Sequence, residues 1–175
     1  MVIEGGFVRK LALSATLLGL LASSVAAVAQ WSAVESDKAA NGREAMVKSD
    51  YDARISIWLD KENILFAQFE LASGLIALDE QICPTFQIDL NVINNLTAAE
   101  HRCEVSGAQV RFQLTQAQDN TIDSPLLLQF MNGSRVIVRY RLKHAGYGAQ
   151  TFSLKGSKQA LINVFGDDIT VKESD

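Results

Sequence analysis

The chain has 175 residues, 48% apolar and 21% charged, with a formal charge of −4 and a slightly positive mean hydropathy. That composition is ordinary for one globular domain, and no internal repeat or low-complexity block interrupts it. A mildly acidic chain of this kind is a poor candidate for nucleic-acid binding, which calls for a basic patch or stripe.

Residues 1–29 read as an export leader. Arg9 and Lys10 supply the charged start, residues 11–22 the apolar run, and Ala27-Val28-Ala29 the small-residue cleavage pattern of a secretory signal peptide. The alternative is an uncleaved anchor, but the run is short and rich in Ala, Ser and Gly, a poor permanent span. No cysteine lies near the cleavage point, which argues against a lipoprotein anchor, and no later apolar run is long enough to cross a membrane. Cleavage would remove Glu4, Arg9 and Lys10, leaving 14 Lys+Arg against 19 Asp+Glu and a formal charge of −5. The expected product is a single domain over residues 30–175, periplasmic or secreted, with no transmembrane anchor.

Trp31 and Val34 open the mature part as a short first strand, followed by the polar run SDKAANGRE with a turn signal at Asn41-Gly42. Ile55, Ile57 and Leu59 share one face of a strand over residues 53–59. After the polar Asp60-Lys61-Glu62-Asn63, residues 64–71 resume with Leu65, Ala67, Phe69 and Leu71 on one side, completing a hairpin. Residues 74–78 are a short apolar segment. Residues 85–92 form a strand with Phe86, Ile88 and Leu90 inward, ended by a turn at Asn94-Asn95. Val110, Phe112 and Leu114 alternate with Arg111 and Gln113 over residues 109–115. Residues 119–123 read as a polar loop. Ser124-Pro125 is an N-cap followed by proline at the first helical position, opening a short helix over residues 126–131 that Asn132-Gly133 stops.

Residues 134–165 hold the most consistent pattern. Val136, Val138, Tyr140 and Leu142 line one face of a strand, and Arg135, Ile137, Arg139 and Arg141 the other. Three guanidinium groups on one strand face are costly to bury without partners. The row is therefore either a solvated outer face or a basic ridge that meets an acidic partner or lipid head groups. Gly146-Tyr147-Gly148 reads as a turn. Phe152 and Leu154 then face inward, Ser157 is the candidate N-cap of a second helix, Ala160, Leu161, Val164 and Phe165 follow at helical spacing, and Gly166 is the C-terminal cap. The sum is a mainly β chain, an antiparallel β-sandwich or open barrel of about seven strands with two short helices.

Cys83 and Cys103 are an even pair, which in an oxidising compartment suggests one disulfide. The alternative is two buried free thiols. Cys-x-x-Cys spacing is absent, so a redox-active pair is not expected. Glu100-His101-x-Cys103 lacks the further ligands that a structural zinc site needs. Asp119, Asn120 and Asp123 lack the glycine and distal glutamate of a calcium loop. No nucleophile elbow, phosphate loop or H-E-x-x-H is present, so no catalytic residue, metal ligand or cofactor is assigned.

The carboxy-terminal half resembles the invasion-associated locus B family of exported bacterial proteins. The residues that carry the resemblance are Leu126-Leu127-Leu128, Gly133, the alternating strand from Val136 to Leu142, and Phe152-Ser153-Leu154-Lys155-Gly156 with Ala160-Leu161. Upstream, Trp31, the run from Leu71 to Leu75, and Phe86-Gln87-Ile88-Asp89 fit more loosely. Cys103 and Gly107 match the family's C-x-x-x-G-C element, whereas Ala108 stands at its second cysteine and no cysteine follows Trp31. The resemblance implies a periplasmic or secreted β-rich protein linked to envelope function or host-cell interaction. It brings no catalytic residues, and leaves Cys83 as a substitute partner for Cys103.

The first functional expectation is thus a non-enzymatic exported sandwich that binds a protein or envelope component, with Arg135, Arg139 and Arg141 as candidate contacts. The second is a small-ligand carrier with a pocket between sheets near Trp58, Phe66 or Phe69. The third is a hydrolase whose site, around His101 or His144, assembles only in the fold.

Overall fold

Each stretch in which apolar residues alternate forms a strand over all or part of its length. The computed structural model describes residues 30–72, 77–91, 93 and 103–172. The leader, Gly74-Leu75, the Asn94-Asn95 turn and Glu100-His101 lie outside the described residues.

One antiparallel sheet, sheet A, has six strands. In spatial order they are β1 (Ser32–Glu35), β2 (Arg43–Lys48), β3 (Arg54–Leu59), β4 (Ile64–Glu70), β7 (Gln109–Gln116) and β6 (Cys103–Ser106). The second, sheet B, runs β10 (Gly146–Ser153), β9 (Arg135–Leu142), β5 (Thr85–Ile88), also antiparallel. A short parallel pair, β8 (Thr121–Asp123) with β11 (Thr170–Lys172), stands apart. The helices are α1 (Pro125–Asn132) and α2 (Ser157–Phe165). The sheets do not close into a barrel; the architecture is that of a sandwich.

The inner faces meet through the residues that the alternation selects. Ile55, Ile57, Leu65, Ala67, Phe69, Val110 and Phe112 of sheet A are fully buried, as are Phe86, Ile88, Val136 and Val138 of sheet B. Phe86 meets Phe112 edge-on at 5.0 Å and Phe69 meets Phe152 at 6.2 Å, so aromatic contacts cross between the sheets. Both helices close one end of this core. Phe130 of α1 packs on Trp31 and Phe86, and Leu161 and Val164 of α2 are buried beside β1 and β2.

Ser124 caps α1, its hydroxyl accepting from the Leu127 amide at 3.2 Å, with Pro125 at the first turn. Ser157 does not cap α2. Gly156, left-handed at φ 84°, holds the cap position, and the Ser157 hydroxyl donates instead to the Phe130 carbonyl at 2.6 Å, tying α2 to α1. Gly146-Tyr147-Gly148 is not a turn either: the turn is Lys143-His144-Ala145, and Gly146 opens β10. Gly148 lies opposite Tyr140 in the ladder, and a Cβ there would sit 2.6 Å from the ring. The glycine thus serves the packing of an aromatic cross-strand neighbour rather than a bend.

Among the described residues there are eleven strands, against about seven expected. The additional four are β2, β6, β8 and β11, each short or charged and each fixed by its neighbours. β2 is held between β1 and β3, β6 borders β7, and β8 and β11 are three residues each, paired across a large sequence gap. The strand expected over residues 85–92 ends at Ile88, because Asp89 turns left-handed at φ 52°, and Leu90 is 91% exposed.

Candidate functional site

Sheet B turns its second face outward, and that face carries the arginines. β9 is the central strand, so the row Arg135, Ile137, Arg139, Arg141 runs along the middle of the face. All three arginines are exposed. Their cross-strand neighbours are small or uncharged: Ser153 for Arg135, Ala149 and Thr85 for Arg139, Tyr147 for Arg141. Arg141 alone of the three is engaged, its Nε 3.4 Å from Asp79 and its guanidinium 5.7 Å from the centre of the Tyr147 ring. Among the described residues, neither Arg135 nor Arg139 forms an ion pair. The one carboxylate at the foot of the row, Asp89, is spent on backbone. It accepts from the Ser134 amide at 3.0 Å and the Arg135 amide at 3.1 Å, pinning the start of β9.

The outer face of sheet A is charged too, but closed upon itself. Ser56 and Trp58 leave the inner face of β3 yet are buried, because the β1–β2 connection folds back over them with Lys38. Glu44, only 9% exposed, accepts from the Ser36 and Ser56 hydroxyls at 3.1 and 3.2 Å and lies 3.8 Å from Lys38. Gln68 donates to Glu70 and Gln109, Arg54 pairs with Glu70 at 2.7 Å, and Arg111 pairs with Glu104. Trp58 and Phe66 stack at 5.6 Å. Lys38 lies 5.1 Å over the first ring and Arg111 5.1 Å over the second. Around them is an open cleft of about 770 Å³.

That cleft is where the structure places two of the three aromatic residues expected to line a carrier pocket, and it lies on the outer face rather than between the sheets. Phe69, the third, is fully buried in the core against Tyr140 and Phe152. Neither of the two clefts described lies between the sheets. The cleft's polar lining, Lys38, Gln68, Gln109 and Arg111, is not among the expected site residues. Its signal was available in part, since strand alternation puts Arg111 opposite Phe112 and Trp58 opposite Ile57.

Cys83 and Cys103 form a disulfide with their Cα atoms 6.0 Å apart. It ties β6, an edge of sheet A, to the segment entering β5, an edge of sheet B. Cys103 therefore offers no thiolate to a metal, and the Glu100-His101-x-Cys103 idea fails. Among the described residues no group of three or more His, Cys, Asp or Glu is placed to hold a metal ion. His144 is exposed in the β9–β10 turn and lines neither cleft, whereas His101 lies outside the described residues. Asn120 and Asp119 take left-handed turn conformations, and Asn120 donates to Asp168 at 3.1 Å, so the acidic loop ties together the segments that enter β8 and β11. No helix among the described residues is long and apolar enough to cross a membrane.

Fold and surface together describe a disulfide-tied antiparallel sandwich with one self-paired and one open charged face. No family model and no curated protein matches the chain. Among solved structures, invasion associated protein B from Bartonella henselae is similar, at a TM-score of 0.48 and 11% identity over 78% of this chain and 92% of that one. Likeness of that degree leaves the functional reading to this chain's own residues.

Proposed function

We propose that the chain is an exported binding protein that docks an acidic protein or envelope component on the outer face of sheet B, without catalysing a reaction. The observation that carries this reading is the pair Arg135 and Arg139, exposed on the central strand and unpaired among the described residues while Asp89 nearby is committed to backbone. A fixed sheet presents these cations at known spacing, so a complementary anionic surface gains attraction with little ordering cost in the backbone. Export is supported by the leader pattern of residues 1–29 and by the disulfide, which persists in oxidising compartments. An envelope role, and association with host cells, follow the family resemblance of the carboxy-terminal motifs. The test is affinity capture from an intact envelope fraction with the native chain and with Arg135→Gln/Arg139→Gln/Arg141→Gln. Components retained by the first and lost by the second are expected; identical retention would overturn the reading.

A second reading, a small-ligand carrier, has one observation in its favour: the cleft over Trp58 and Phe66 with the Gln68 and Gln109 amides beside it. Lys38 and Arg111 occupy the outer faces of both rings, so a ligand would have to displace them to stack. Quenching of tryptophan fluorescence by a polar small molecule, retained in the arginine-face triple variant and absent from Trp58→Phe, would favour the carrier. A hydrolase remains the third alternative, supported by no convergence of groups around His144.

A further inference from the structure

The edges of the two sheets are unequal. β1, β5 and β6 are four residues each; β1 carries Glu35, β6 carries Glu104, and the disulfide holds β6 and the entry to β5. β10 is an edge of eight residues, GYGAQTFS, with no charge, no proline and an unbroken register against β9. Edge strands expose a row of unpaired N–H and C=O groups, and proteins ordinarily guard them by brevity, charge, proline or a bulge. β10 has none of these guards. Its far end is closed where the Trp31 indole donates to the Ser153 carbonyl at 2.9 Å. Between Gly146 and Thr151 no further hydrogen bond from the described residues reaches the strand beyond its ladder with β9.

The open edge and the arginine row belong to one surface. Ala149 and Thr151 lie on β10 beside Arg139 and Ile137, and Tyr147 beside Arg141. A strand added outside β10 would stand two strand spacings, about 10 Å, from β9. Ala149 places nothing tall between it and Arg139, so an arginine and a glutamate reaching toward each other span that gap. Arg141 already leans over β10 to the Tyr147 ring.

We propose that β10 is a strand-addition site and that its occupant is an extended segment of a partner chain with acidic side chains at alternate positions. The inference rests on the docking reading of the arginine face and specifies the partner's conformation. Ladder hydrogen bonds would supply affinity, and a carboxylate facing Arg139, beside the open stretch of β10, would set the register. Charge favours this occupant over a second copy of the chain, because β10 pairing with itself would set two arginine faces side by side.

The test uses the purified whole chain and three eight-residue peptides: alternating glutamate and threonine, the same peptide N-methylated at alternate residues, and alternating lysine and threonine. The acidic peptide should bind and protect the backbone amides of residues 146–151 from hydrogen exchange. N-methylation, which removes ladder donors while keeping the charge, should weaken binding at least about tenfold. Arg139→Gln should weaken it about threefold to tenfold, and the basic peptide should not bind. Equal binding of the methylated and unmethylated acidic peptides, both dependent on Arg139, would overturn strand addition and leave the arginine-face reading standing. Binding that ignores Arg139, or no binding, would overturn both. Protection of the same amides that rises with protein concentration and needs no peptide would assign the edge to a second copy and overturn the acidic-segment occupant.

Discussion

The outer faces of the two sheets carry similar residue types and use them in opposite ways. On sheet A the cations around the cleft and on β3 have answers: Arg54 on Glu70, Arg111 on Glu104 and Phe66, Lys38 on Glu44, Gln68 and Trp58; Arg43 and Lys48 on β2 have no ion pair among the described residues. On sheet B Arg135 and Arg139 have small neighbours and form no ion pair among the described residues. Charge count on a strand therefore does not tell an open surface from a closed one. What decides is whether acidic residues occupy the adjacent strands in register. Glu104 stands directly opposite Arg111, whereas Ala149 and Thr85 stand opposite Arg139. The chain is acidic overall, so leaving those arginines unanswered is a local exception to its composition.

Both faces stand on one core, and truncating that core should affect them together. Phe112→Ala removes a fully buried ring in contact with Phe86, and should cost about 3–5 kcal/mol in denaturant unfolding. A single transition seen by tryptophan fluorescence and by exchange of β9 amides is the expected result; two separate transitions would break the comparison by making the sheets independent units. Replacing Cys83 and Cys103 together by serine removes the tie between the sheet edges and should cost about 3 kcal/mol. Alkylation without reductant should leave the mass of the native chain unchanged.

The two faces should then separate. Glu44→Ala strips the acceptor from buried Ser56 and from Ser36, and should destabilise by about 1–3 kcal/mol. Arg139→Gln on the open face touches no partner within the described residues, and its melting should shift by no more than about 0.5 kcal/mol equivalent. A stability loss from Arg139→Gln as large as that from Glu44→Ala would show that the arginine is a structural residue.

Much of the sandwich was legible in the chain. Every strand with strict alternation formed, because one buried face fixes register and a slip of one residue would turn the whole apolar set outward. β2 escaped because REAMVK offers only Ala45 and Val47 as inward residues, and its pairing with β1 and β3 does the rest. β8 and β11 escaped because their partnership joins residues far apart in sequence, which no local pattern signals. Ser157, a serine after glycine and before an apolar stripe, has the chemistry of a cap. The structure spends that hydroxyl on the neighbouring helix instead. The arginine row could be placed on one face from spacing alone. That Arg135 and Arg139 are left without an ion pair among the described residues could not, because the strands beside them come from residues on both sides in the chain and their register is tertiary.

The most direct measurement compares the two faces as binding surfaces on the same captured envelope component. Affinities of the native chain, of Arg135→Gln/Arg139→Gln/Arg141→Gln, and of Lys38→Gln/Arg111→Gln would be taken at one ionic strength. Loss of at least about tenfold in the first variant with near-native affinity in the second is the predicted result. Near-native affinity in the first, or a greater loss in the second, would contradict the account.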